Sequence, residues 1–130
     1  MSQSYRKEVL SSPSVASSSS PLSQGIRYGN LIFLSGQLGR NPETKQLENG
    51  FRVQVKRVMN NLKEILEASG SSMDMVLKTT IFITDLNNVK ELNEVYQEFF
   101  NKPYPVRSCV EVSALALEAE VEIELIAACG

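Results

Sequence analysis

From Phe51 to Ser69 the apolar residues Val55, Val58, Met59, Leu62, Ile65 and Leu66 recur at spacings of three and four. Lys56, Arg57, Lys63, Glu64 and Glu67 take the other side, so the spacing predicts an amphipathic helix that stops at Gly70. Val89, Leu92, Val95, Tyr96, Phe99 and Phe100 form a second stripe and predict a second helix from about Val89 to Phe100. Elsewhere the apolar positions follow the period of strands. Ile26 to Tyr28 and "LIFLSGQ" flank the turn residues Gly29 and Asn30 and predict a hairpin. "MVLKTTIFITD" predicts a strand with Leu77, Thr79, Ile81 and Ile83 on one parity, under the first helix. "VRSCVEV" and "VEIELIAA" predict the last two strands, joined by an apolar connection from Ser113 to Glu120. "SYRKEVL" predicts a short edge strand, and the serine- and proline-rich "SSPSVASSSSPLSQG" either a flexible surface loop or a loop pinned at its far end, where Pro21 leads into structure.

The resulting order, ββ, helix, strand, helix, ββ, predicts an α+β fold: a single mixed β-sheet with two helices packed on one face. A chain of 130 residues is the size of one domain, here residues 1–130, with room for one core. Such a sheet leaves its second face bare. The C-terminal strands carry apolar residues on both parities, so that face predicts association into a homo-oligomer.

Charge and composition narrow the chemistry. Lys+Arg number 13 and Asp+Glu 15, scattered without a basic stripe, which argues against a nucleic acid partner. No apolar run reaches the length of a membrane span. Cys109 and Cys129 lie far apart and read as small buried hydrophobes in a reducing compartment. Cytoplasmic location is the expectation; Arg6, Lys7 and the early serines favour a mitochondrial address, and Glu8 counts against it. The chain has no histidine, so imidazole-based triads and histidine-built metal sites are excluded and no metal ligand set is expected.

Within that restricted chemistry, "YPVRSCV" stands out, because Pro105 restricts the backbone just before Arg107 opens a strand. Arg107, Cys109 and Glu111 share one parity there, while Glu122 and Glu124 alternate with Val121, Ile123 and Leu125 in the next strand. Two readings follow from the pattern. Arg107 forms a salt bridge with one of those glutamates on a neighbouring strand or at a subunit seam, or its planar fork holds an incoming carboxylate through two parallel hydrogen bonds.

The segments "LIFLSGQLG", "VLKTTIFITDLNNVKELNEVY" and "YPVRSCVEVSALALEAEVEIELIA" together resemble the Rid family of reactive-intermediate deaminases, over nearly the whole chain from Ser4 onward. The resemblance implies a chorismate-mutase-like α+β fold assembled as a homotrimer around the bare sheet face, with clefts between subunits. It also implies hydrolysis of 2-imino acids such as 2-iminobutanoate and 2-iminopropanoate to 2-oxo acids and ammonia, with no cofactor. By the same resemblance Arg107 clamps the substrate carboxylate and Glu122 positions and polarises a water. Gly36 and Gln37 lie in the cleft-lining strand, Asn93 matches an asparagine of the second helix, and Cys109 stands beside the bound acid. One position departs: where deaminating members carry glycine-proline-tyrosine-serine, with the tyrosine entering the cleft, this chain has Ser20-Pro21-Leu22-Ser23. Ala116 also stands where the family often has proline. Leu22 keeps open a non-catalytic, acid-binding or regulatory trimer beside the deaminase; RNA cleavage or translation inhibition, also associated with the family, is opposed by the mild acidity.

Overall fold

The computed structural model describes residues 6–130. Six strands, β1 (Glu8–Leu10), β2 (Gly25–Tyr28), β3 (Leu31–Leu38), β4 (Val76–Ile83), β5 (Val106–Glu111) and β6 (Val121–Ala128), form one sheet in the order β1-β2-β3-β6-β4-β5. Every pairing is antiparallel except β4 with β5, so the sheet is mixed. The edge strand expected in "SYRKEVL" is present as Glu8–Leu10; Ser4 and Tyr5 lie outside the described residues.

Helices α1 (Phe51–Ala68) and α2 (Val89–Tyr96) cover one face of this sheet. The apolar stripe of α1, from Val55 to Leu66, is sealed against Ile32, Leu34, Ile81, Ile83, Val121, Ile123, Leu125 and Ala127, which is the alternation of three central strands meeting the period of a helix. α2 contributes Leu92, Val95 and Tyr96; it tightens into a 3-10 turn at Gln97–Phe99, and Phe100 closes the core beyond it. The expected α+β architecture is therefore the one observed.

Three features depart from the simple pattern. First, β5 and β6 are not neighbours: β6 inserts between β3 and β4, and β5 lies at the sheet edge, parallel to β4. A parallel return needs a crossover, and α2 supplies it. Arg107 and the glutamates of β6 are thus not on adjacent strands. Second, the pairing of β4 with β6 shifts between Val76 and Lys78, and this bulge turns Val76 into the core and leaves Leu77 exposed instead of buried beside Thr79. Third, the pairing of β3 with β6 steps from Leu34–Leu125 to Gln37–Ile123, so Ser35 and Gly36 together oppose Glu124. Even-numbered residues of β3 face the helices before this bulge; beyond it Gly39 does, packed so tightly on α1 that a Cβ there would stand 2.7 Å from the Gln54 carbonyl oxygen.

Among the described residues no helix covers the opposite face. Phe33, Ile126, Lys78 and Val106 line up across it in one row, and Leu38, Glu122, Phe82 and Val110 in another. Phe33 is 41% exposed and Val106 66%, a large apolar content for a face without a cover. The serine-rich loop is tied at both ends: the Ser12 amide donates to Gln24 Oε1 at 2.8 Å, Arg40 Nη1 donates to the Ser17 carbonyl at 3.0 Å, and Val15 is buried in the core.

Candidate active site

Arg107 enters the structure from the helix side. Its Cα partner on β4 is Thr79, which is buried under α2, so strand alternation directs Arg107 and Cys109 to that same face. Arg107 Nη2 donates to Asn93 Oδ1 at 2.7 Å, and the guanidinium lies 4.9 Å from the centre of the Tyr96 ring. The ring is itself fixed, because Tyr96 Oη and Thr79 Oγ1 share a buried hydrogen bond of 2.8 Å. Burial pushes the Tyr96 phenol above its ordinary range against the opposing effects of that hydrogen bond and of Arg107, so it is neutral at physiological pH. Asn93, Tyr96, Gln97, Tyr104, Pro105 and Arg107 enclose an open cavity of about 280 Å³.

Ion pairs among the described residues include Arg27 with Glu8, Arg52 with Glu91 and Glu94, and Arg57 with Glu48. Arg107 is in none of them. Its fork is oriented by a neutral amide and a π-face, which leaves its charge uncompensated by a protein carboxylate. Cys109 lies one pleat further along; burial raises its thiol, with Arg107 pulling the other way, so the group is a neutral thiol rather than a thiolate nucleophile at pH 7.

Glu122 belongs to the other face. It alternates with Val121 and Ile123, both fully buried under the helices, and so projects into the uncovered side. Its carboxyl packs on Gly36, where a Cβ would stand 2.7 Å from Glu122 Oε2 and 2.8 Å from Cδ. The bulge at Ser35 and Gly36 and the missing side chain together make the seat for this carboxylate. Burial, and secondarily the neighbouring Glu124, pushes Glu122 above the usual carboxylate range. Leu22, Gly36, Gln37, Leu117 and Glu122 line a second cavity, of about 380 Å³.

The residues singled out from the sequence therefore fall into two groups. Arg107, Asn93 and Cys109 stand together on the helix side of the edge strand, while Leu22, Gly36 and Glu122 stand on the uncovered side; Gln37 touches the Glu122 cavity from β3, but its pairing with Ile123 gives it the parity of the helix face. Within one subunit the groups are separated by the sheet itself. Sequence reasoning overlooked Tyr96 and Tyr104 beside Arg107, and Leu117 beside Glu122. Tyr96 had a usable signal, since it follows Asn93 by three residues on one helix and so shares its face. Among the described residues no cluster of three or more histidine, cysteine, aspartate or glutamate side chains is placed to hold a metal ion.

Chemically, the first group can grip an anion in a fixed plane, and the second can order a water beside a partly desolvated carboxylate. A family model described as endoribonuclease L-PSP matches residues 13–129. The chain is 45% identical over 125 residues to Reactive Intermediate Deaminase A, chloroplastic, of Arabidopsis thaliana, covering 95% of this chain and 67% of that protein. It is 40% identical to the 2-iminobutanoate/2-iminopropanoate deaminase of Dermatophagoides farinae, covering 92% of this chain and 94% of that one. The crystal structure of E. coli TdcF with bound serine superposes with a TM-score of 0.91 at 35% identity, covering 95% of this chain and 100% of that chain.

Proposed function

The chain belongs to the Rid family, and from that premise we propose that it hydrolyses 2-imino acids, 2-iminobutanoate and 2-iminopropanoate among them, to 2-oxo acids and ammonia at clefts between the subunits of a homotrimer. One observation supports this reading above the others. The two groups of site residues stand on opposite faces of one sheet, each incomplete, and the face bearing Glu122 is apolar and uncovered. A second copy docked on that face would bring its own edge strand, with Arg107, toward the first copy's Glu122.

In the cleft so formed Arg107, oriented by Asn93 and Tyr96, binds the substrate carboxylate through two N–H donors. The imine carbon then lies over the Glu122 carboxylate of the neighbouring copy. A protonated imine is already electrophilic, so the protein has mainly to place a water about 3 Å away and take up its proton. Water adds its oxygen to the carbon as Glu122 accepts a proton, giving a tetrahedral aminol. Glu122 returns that proton to the nitrogen and, again a carboxylate, takes the hydroxyl proton as the C–N bond breaks, so that ammonia leaves, the hydroxyl oxygen becomes the ketone of the 2-oxo acid, and the proton passes on to ammonia as ammonium. The raised carboxyl of Glu122 suits this exchange, since a base with a higher proton affinity accepts more readily.

The test generates 2-iminobutanoate and 2-iminopropanoate in situ and follows their loss with and without the protein. Acceleration above buffer, abolished in Arg107→Ala, is the expected result. Imine decay at the buffer rate in the presence of folded protein rules the reaction out. Leu22 favours a second reading, a trimer that binds small carboxylates without turning them over, because it presents an isobutyl group with no proton to donate. In that case 2-oxobutanoate binds, Arg107→Ala abolishes binding, and imine loss is unaccelerated.

A further inference from the structure

Leu22 and Leu117 are 53% and 63% exposed, and both line the cavity that holds Glu122. A leucine left in water contributes little to the stability of its own subunit, so two of them on one small cavity call for another use. Their surroundings sharpen the point. Much of the remaining wall is small or hydroxylic, with Ala16, Ser17, Ser18, Ala116 and Gly36; Leu38 of β3 adds a third isobutyl group, and Leu22 and Leu117 are the two that stand exposed.

The backbone under Leu117 is specialised too. Leu117 has φ 59° and ψ 21°, and Glu118 after it has φ 61°. Successive left-handed residues are unfavourable for side chains other than glycine and asparagine, and a loop that only had to turn from β5 to β6 would use those. Strain of this kind concentrates at sites where a side chain must be presented in one direction. The loop that carries it is anchored where Gln54 Oε1 accepts from the Glu120 amide at 2.9 Å.

We infer that Leu22 and Leu117 form the side-chain subsite of the cleft and select 2-imino acids with branched aliphatic side chains over those with short ones. The inference rests on the reading of this cavity as half of a 2-imino acid site. At about 380 Å³ the cavity is within the range of roughly 300–1,000 Å³ typical of small-ligand pockets, large enough for an isobutyl substituent beside the reacting carbon. Arg40 also lines the cavity, but it is turned to the Ser17 and Lys45 carbonyls, which it meets at 3.0 and 3.2 Å.

The experiment compares wild type with Leu22→Ser, Leu117→Gly and the double variant, glycine being chosen at 117 because it accepts the φ found there. Imines are generated from L-leucine and from L-alanine by an amino-acid oxidase, and kcat/KM is measured for each. The ratio of the leucine-derived to the alanine-derived value is expected to exceed one in wild type and to fall about tenfold in the double variant. A ratio that does not move overturns the subsite. Acceleration of neither imine by wild type overturns the deaminase reading instead, and calorimetry with 4-methyl-2-oxopentanoate and pyruvate then decides the inference. Tighter binding of the former, lost in the double variant, supports it; equal affinities overturn it.

Discussion

Arg107 and Glu122 stand on opposite faces of one sheet, with the whole of β4 between their strands. Two strand spacings put roughly 10 Å of sideways distance between them before the thickness of the sheet is counted. No rotamer change can unite them within a subunit.

Intersubunit complementation follows directly. Arg107→Ala and Glu122→Ala are each expected to lower kcat/KM about 10- to 100-fold, the range for losing a hydrogen bond to a charged group. Unfolded and reassembled together in equal amounts, they should regain about one quarter of the wild-type sites, because random assembly pairs an intact arginine with an intact glutamate at that frequency. A mixture no more active than its parents would place both residues of each site in one chain.

The raised carboxyl of Glu122 sets a pH profile. A base that must be ionised works above its own value, so activity should rise with pH through a midpoint above the ordinary glutamate value of about 4.3. Glu124→Gln, by removing the secondary cause, should move the midpoint down, and Glu122→Gln should erase it. The same group affects stability in the opposite sense. A folded value above the unfolded one means that its contribution is full below the unfolded value and is lost as pH rises through the folded one. Denaturant midpoints measured across that window should therefore decline with pH in wild type and less so in Glu122→Gln.

Gly36→Ala isolates the seat of the carboxylate. Its new Cβ would fall 2.7 Å from Glu122 Oε2, so the side chain of Glu122 must swing away while the β3 backbone stays. We expect kcat to drop with KM nearly unchanged, and circular dichroism to match wild type. A rise in KM alone would assign Gly36 to substrate binding.

Two substitutions separate the roles of Tyr96. Tyr96→Phe keeps the ring under Arg107 but strands the Thr79 hydroxyl, and should lower stability by about 1–3 kcal/mol with binding retained. Tyr96→Leu removes the ring and with it about 0.5–1 kcal/mol of cation–π attraction, a two- to fivefold weaker Kd for a 2-oxo acid read by calorimetry. Equal affinity in both variants would mean that Asn93 alone orients the guanidinium.

Gln54→Leu tests how the loops are held. Buried Gln54 donates from Nε2 to the Glu48 carbonyl at 3.1 Å and accepts from the Glu120 amide at 2.9 Å, tying the segments before α1 and β6 together. Leucine leaves both backbone groups unpaired, and urea unfolding at fixed protein concentration should show a loss of about 1–3 kcal/mol.

Helix α1 was legible because its stripe from Val55 to Leu66 faces one core and obeys one period. Leu77 was misplaced because alternation predicts facing only while the register is unbroken, and nothing in "MVLKTT" announces the bulge at Val76. The adjacency of β5 and β6 failed for a different reason. Strand partners are chosen by long-range closure, and consecutive order is only a tendency that α2, by returning β5 parallel to β4, overrides. Arg107 could be picked out by its place after Pro105 and by the resemblance of its segment. The stacking of its guanidinium on Tyr96 needed the helix and the edge strand to be seen side by side. Val15, buried from within a serine-rich loop, carries no local period by which to recognise it.

The doubled position at Ser35 and Gly36 works as a phase shifter in β3. Removing either residue would keep the hairpin and the length of the strand nearly intact, yet it would invert every side chain beyond that point, sending Leu38 toward α1 and driving Gly39 outward. Single-codon deletions at this spot should thus be far more damaging than substitutions. Chimaeras that exchange the front half of the chain with a relative must carry the same two-for-one count to remain in frame with β6.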